Sequence, residues 1–233
     1  MTGGASGIGA DVVRAFAANE AQVAFVDIQD DAGHALAEEA GALYLKADVT
    51  DIEALRGAIA KVREVLGPIG ILVNNAANDD RHKIDDVTVE YWDKALDVNL
   101  RHQFFAAQAV RPHMKELGGG AIINFSSIAW KGGEVFPAYA SSKAGVLGLT
   151  RSLSRAFGPD NIRVNAIEPG AVITERQLRL WYGSQKDVDN VVSRQAIRRA
   201  IVGADIARVV LFLASDDSEM IDRQAIIVDG GLT

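Results

Sequence analysis

Short apolar runs alternate with longer amphipathic stretches along the whole chain. The runs are Val23–Ile28, Ala42–Val49, Ile69–Ala77, Ala121–Ile128, Ile162–Ile167 and Ala225–Val228. Hydrophobicity this continuous over so few residues suits strands covered on both faces. Between the runs, apolar positions recur at helical spacing, as in Ile52, Leu55, Ile59, Val62 and Leu66. Thr50 or Asp51 stands where that helix needs a cap, and Gly67-Pro68 stops it. The stretch from Tyr91 to Leu117 predicts one long helix, ended by Gly118-Gly119-Gly120. Strand–helix alternation on this scale predicts an α/β fold with a doubly wound parallel sheet of the Rossmann type. Right-handed crossovers place helices on both faces, and ligands bind at the carboxyl ends of the strands. No linker, like-charge block or repeat divides residues 1–233, so one domain is expected.

Composition narrows the setting. Hydrophobic residues are 48% and charged residues 24% of 233, an ordinary balance for a globule. With no cysteine, a disulfide-stapled secreted scaffold is excluded. The 24 Lys+Arg against 31 Asp+Glu give a net charge of −7, which argues against phosphate-backbone binding. No apolar run approaches the ~20 residues of a membrane helix, and no secretory leader is visible. The expected address is the cytoplasm, with neither nucleic acid nor membrane as partner. The four histidines, His34, His82, His102 and His113, lack metal-ligand spacing and read as surface groups or groups behind a site; no metal is expected.

The first candidate chemistry is Thr2-Gly3-Gly4-Ala5-Ser6-Gly7-Ile8-Gly9, running into Val12, Val13 and Phe16. Glycines let backbone approach a pyrophosphate, whose charge is met by a helix N-terminus. Alone, the turn is weak: a flexible terminal turn looks the same. Asp27, 18 positions after Gly9 at the end of an apolar run, changes the weighing. A carboxylate there accepts from ribose hydroxyls and repels a 2′-phosphate, which points to NAD. One feature does not fit. Only Met1 and Thr2 precede Gly3, too few for a strand of ~5–6 residues. The sheet is therefore expected to have a gap at its centre, with an apolar strand of about six residues omitted upstream. Closure by the neighbouring strands, or a strand donated by a partner, are the alternatives.

Tyr139 and Lys143 lie four apart in a helical pattern, on one helix face. An ammonium beside a phenol favours the phenolate, and such a tyrosine exchanges a proton with an alcohol while hydride moves to a nicotinamide. In context this pair makes the chain resemble the short-chain dehydrogenase/reductase family over essentially its whole length. The resemblance rests on Thr2-Gly3-x-x-x-Gly7-Ile8-Gly9, Asp48-Val49, Asn74-Asn75-Ala76, Val98-Asn99-Leu100, Ser126-Ser127, Tyr139-x-x-x-Lys143, Pro169-Gly170 with Thr174, and Asp229-Gly230-Gly231. It implies a seven-stranded sheet, a homotetramer and residue roles. Tyr139 is the general acid/base, and Lys143 lowers its pKa and holds the nicotinamide ribose. Ser127, chosen over Ser126 because it precedes apolar Ile128, bonds the reacting oxygen; Asn99 positions a water. Gly3, Ser6, Gly7, Ile8, Asp27, Ile28, Asp48, Val49, Asn75, Ala76, Ala77, Pro169, Gly170, Val172 and Thr174 line the cofactor with Tyr139 and Lys143. Ala77 stands where the family commonly has Gly, the 127–139 loop is one residue short, and Ile221–Gln224 departs from the usual Thr-Gly pair.

Substrate recognition falls to the variable segments. Asn78, Asp79 and Arg81 follow the third apolar run, and Trp130, Arg176-Gln177 and Trp181-Tyr182 join them. With Asn99–His102, these resemble the family's bacterial aldose 1-dehydrogenases, the D-xylose type in particular. Carboxylates, amides and arginine suit sugar hydroxyls, and an indole covers the apolar face of a pyranose. The implied reaction oxidises C1 of the sugar to a lactone, under a lid at about 174–203. Asn78–Lys83 reads equally as a polar loop, and Trp130 as lid packing or a subunit contact. Rival readings are a 3-oxoacyl thioester or other ketone reductase, and a catalytically silent dinucleotide sensor.

Overall fold

The computed structural model describes residues 1–132 and 136–233. Six parallel strands are β1 (Ala24–Asp27), β2 (Leu43–Lys46), β3 (Ile71–Asn74), β4 (Gly120–Phe125), β5 (Ile162–Pro169) and β6 (Ala225–Val228). The main helices are α1 (Gly7–Ala18), α2 (Asp30–Ala40), α3 (Ile52–Leu66), α4 (Val89–Leu96), α5 (His102–Glu116), α6 (Ala129–Gly132), α7 (Pro137–Phe157), α8 (Glu175–Leu180), α9 (Gln185–Arg194) and α10 (Gly203–Ala214). Period-two side chains explain why the strands read as unbroken apolar runs. Leu72, Ile122 and Val164 pack on one side with Leu55, Val110 and Leu153. Their neighbours Val73 and Ile123 pack on the other, with Val12, Ile206 and Val210. Asp51 caps α3, accepting from the amides of Glu53 and Ala54, while Thr50 bonds back to Asp48.

The expected single helix over 91–117 is corrected. It is two helices joined by a π turn at Asp97–Arg101. Hydrophobic spacing does not register the one extra residue of such a turn, and π turns recur at functional sites. The turn buries Asn99.

The sheet falls into two leaves, β2-β1 and β3-β4-β5-β6, rather than the seven strands the resemblance implied. Among the described residues, the start of the chain runs between them. Thr2 bridges Val26 on one side and Asn74 on the other. Its amide donates to Val73 O at 3.0 Å, the Gly3 amide to Val26 O at 2.8 Å, and the Val26 amide to Met1 O at 2.9 Å. Beneath these contacts lies an apolar cavity of about 310 Å³, lined by Phe16, Val23, Leu55, Val62, Leu66 and Leu72 among others.

Candidate active site

The glycine turn lies at the carboxyl end of this junction. A Cβ at Gly3, where φ is +67°, would come within 2.7 Å of Ala76 Cα, and one at Gly9 would collide with the Gly3 carbonyl. Only glycine lets the backbone fold so closely. The Asn75 amide locks the turn by donating to Gly3 O at 2.7 Å, and the Thr2 hydroxyl accepts from the amides of Asn75 and Ala76 at 3.1 Å. At the start of α1, Ser6 makes no side-chain cap and the first turn carries no acid. Its amides are left for an anion. Thr174 stands across from Gly7, about 3.5 Å from where a Cβ would lie, and its hydroxyl caps α8 by accepting from the Gln177 amide.

Asp27 is 8% exposed. One oxygen accepts from the Ala5 amide at 2.9 Å, the other from the Gln29 amide at 3.0 Å, so the carboxylate is braced against the glycine turn. Basic side chains nearby are engaged with acids: Lys46 with Asp30 and Arg14 with Glu39. Ile28, beside Asp27, is 64% exposed, an apolar surface at the mouth of the same cleft. Asp48 is exposed and Val49 buried. Pro169 accepts from the Ile128 amide, and Gly170 donates to Val228. Val172 differs from the rest: its side chain lies in the core and its amide bonds Gly170 O.

The catalytic candidates sit on the floor. Tyr139 and Lys143 share one face of α7, with the ammonium 5.4 Å from the centre of the phenol ring. Lys143 is 1% exposed and donates to Phe125 O at 2.8 Å. Ser126 is buried and donates to the Lys143 carbonyl at 2.7 Å. Ser127 reaches the phenol of Tyr139 and accepts from the Ala129 amide at 3.2 Å. Asn99 is spanned across the base of the loop after β3: its oxygen accepts from the Asn78 amide, and its amide donates to Asn78 O and Ala95 O. Burial pushes the Lys143 ammonium down to about 7. Burial also pushes the Tyr139 phenol up, the Asp79 carboxylate adds to the rise, and the bond from Ser127 draws it back. Desolvation, which disfavours the phenolate, is the largest of these influences.

The rim gathers Asn78, Asp79, Arg81 and Arg176. The Arg176 guanidinium donates to Asn78 at 3.0 Å and to Asp79 and Asp80 at 3.1 Å. Gln177 donates to Asp79 at 2.7 Å. Arg81 stacks 4.2 Å above the Trp181 ring. Trp130, also expected here, directs its indole N–H to Glu168 at 3.2 Å and is 36% exposed. Among the described residues, no group of three metal-ligating side chains converges, and no helix is long and apolar enough to cross a membrane.

Of the two places open to the histidines, His102 takes the one behind the site: it is wholly buried, held neutral by burial with a pKa of about 3, its ring nitrogen 3.4 Å from the Thr2 hydroxyl. Sequence reasoning missed other residues. Gln103 donates to Asn99 O at 3.1 Å. Glu168 was also passed over, although a carboxylate inside the last apolar run before Pro169 is a visible anomaly.

The family profile described as enoyl-(acyl carrier protein) reductase matches residues 3–233. A protein named "Probable galactose dehydrogenase GalD" from Rhizobium meliloti (strain 1021) is 49% identical over 239 residues, covering 100% of this chain and 93% of that one. A D-xylose 1-dehydrogenase from Caulobacter vibrioides (strain NA1000 / CB15N) is 45% identical over 237 residues, covering 99% and 93%. The crystal structure of a blue fluorescent protein from a metagenomic library in complex with NADPH superposes with a TM-score of 0.91 at 31% identity, covering 100% of this chain and 96% of that one.

Proposed function

This chain belongs to the short-chain dehydrogenase/reductase family, oxidoreductases acting on CH–OH groups, and from that premise we propose that it oxidises C1 of an aldose such as D-xylose to the lactone, using NAD. The observation that carries the reading is the convergence of Asn78, Asp79 and Arg176 on the rim above Tyr139, in a chain whose relatives are named for galactose and D-xylose. Side chains of these types satisfy several adjacent hydroxyls at once.

The residues fit a nicotinamide dinucleotide: the glycine turn that a Cβ would fill and the uncapped α1 amides suit its pyrophosphate. Asp27 would receive ribose hydroxyls, Ile28, Asp48 and Val49 would flank the adenine, and Asn75–Ala77 and Pro169–Thr174 would line the remainder. Bound there, the oxidised cofactor supplies the hydride acceptor and a positive charge. Tyr139 takes the proton of the C1 hydroxyl. Ser127 holds the reacting oxygen, and Lys143 steadies the phenolate as it forms. Asn99 fixes the loop that carries the rim. Asp27, with no free base beside it, sets a preference for NAD over NADP. The enzyme works as a cytoplasmic homotetramer, for which Ile227 on edge strand β6 and Phe212 on α10 leave exposed apolar surface.

The test is an absorbance assay of pentoses, hexoses, deoxysugars and acidic sugars with NAD and with NADP. We expect turnover of at least one aldose and an NAD preference above about tenfold in kcat/KM, the scale of a lost favourable charge contact. Equal use of both cofactors overturns the role of Asp27. Silence with every aldose, beside turnover of a 3-oxoacyl thioester, replaces the sugar with a ketone substrate.

A further inference from the structure

Glu168 is an ionisable group that the chemistry above does not use, and it is 1% exposed at the end of β5. Its Oε2 atom accepts from the Trp130 indole N–H at 3.2 Å and meets the Lys131 ammonium at 2.8 Å. Lys131 in turn lies 5.4 Å from the Trp130 ring centre. Glu168 is buried while Lys131 reaches it from the surface, and desolvating the carboxylate offsets much of the attraction; what the pair offers is direction. Here the direction is toward the catalytic serine. β4 and β5 run side by side into this region, with the Ser126 amide on Ile167 O at 2.9 Å and the Ile128 amide on Pro169 O at 3.2 Å. The chain then turns into α6, where the Lys131 amide bonds Ile128 O at 2.9 Å. The Ala129 amide in that turn donates to Ser127 Oγ at 3.2 Å. A hydroxyl that already accepts there has its own proton free to point at Tyr139 and the reacting oxygen.

We propose that Glu168 is a positioning residue for the reaction: by gripping Trp130 and Lys131 it holds the α6 turn so that Ala129 orients the Ser127 hydroxyl. The inference rests on the reading of Ser127 as a catalytic group. It also assigns Trp130 a supporting task, through its indole N–H on Glu168. A displacement of the turn by a fraction of an ångström would misdirect the hydroxyl, and misplacement of about 1 Å can cost ~10²-fold in rate.

The experiment measures kcat and KM for the best aldose, and NADH affinity by fluorescence, in Glu168→Gln and Glu168→Leu, each with Ser127 intact and with Ser127→Ala. Glu168→Leu is expected to lower kcat by ~10- to 100-fold while sugar KM and NADH affinity stay within about twofold. Glu168→Gln, which still accepts from Trp130, should recover part of the loss. In the Ser127→Ala background neither change should cost more than about twofold, since residues acting as a unit are non-additive. Should Glu168→Leu fail to fold, or Ser127→Ala leave no measurable turnover, Trp130→Phe and Lys131→Met take its place with Ser127 intact, each lowering kcat several-fold without moving KM. A kcat loss that persists in full without Ser127, or falls equally on KM and NADH affinity, overturns the positioning role. Wild-type kcat in Glu168→Leu does the same. Full activity in Ser127→Ala alone overturns the reading of Ser127 itself, a distinct result.

Discussion

The floor of the cleft and its rim are held by different forces. On the floor, Asn99, Ser126 and Lys143 are buried and bonded to main-chain carbonyls of α4, α7 and β4. On the rim, Asp79 and Asp80 meet Arg176 across partly exposed ion pairs, and Arg81 lies over Trp181. Exposed pairs contribute roughly 0–1 kcal/mol each and weaken with salt, whereas bonds made in a dry interior are costly to leave unmade. The difference teaches that the residues proposed for proton transfer are fixed by interior bonds, while those proposed for substrate fit are held by contacts that yield cheaply.

If that division holds, the largest effect comes from the floor. Tyr139→Phe should lower kcat by ~10²–10⁴-fold with NADH affinity nearly unchanged, read by steady-state kinetics and fluorescence titration. Retention of more than half the activity would remove Tyr139 from its role.

Lys143→Met sharpens the contrast from the side of stability. Burial lowers the ammonium to about 7, so the unfolded chain binds more protons than the folded one between that value and the ordinary lysine range near 10.4. The penalty is complete below pH 7 and fades as pH rises toward 10. The methionine variant should therefore lose turnover yet melt a few degrees higher at pH 7, with the gain shrinking by pH 10. Equal melting points at pH 7 would show that Lys143 is better solvated than the structure indicates.

The smallest effect belongs to the rim. Arg176→Gln should raise sugar KM by about two- to fivefold, the worth of one screened contact, and leave the melting point within about a degree. Because Asp79 raises the Tyr139 phenol, removing its counter-charge should also move the rising limb of the kcat/KM profile, where the phenol gives up its proton to become a base, upward in pH. An unchanged KM and profile would make the ion pairs mere surface decoration.

The same division explains what the sequence disclosed. Strands buried on both faces read as unbroken apolar runs, so the sheet was legible, as was the turn in which Gly3 and Gly9 are forced. The π turn around Asn99 was hidden because a one-residue slip leaves helical periodicity almost intact. Residues of the rim were nameable from Asn78 to Arg176, but their pairings join positions nearly a hundred residues apart and carry no local signature. Glu168 escaped for the opposite reason: within an apolar strand its charge has meaning only once Lys131 is seen beside it.

The bracing of Asp27 has a consequence for how a ligand is received. One carboxylate oxygen is tied to the Ala5 amide and the other to the Gln29 amide, so the side chain is aimed before anything arrives. Immobilising a free side chain at a binding site costs about 0.5–1.5 kcal/mol; here that cost has already been met in folding.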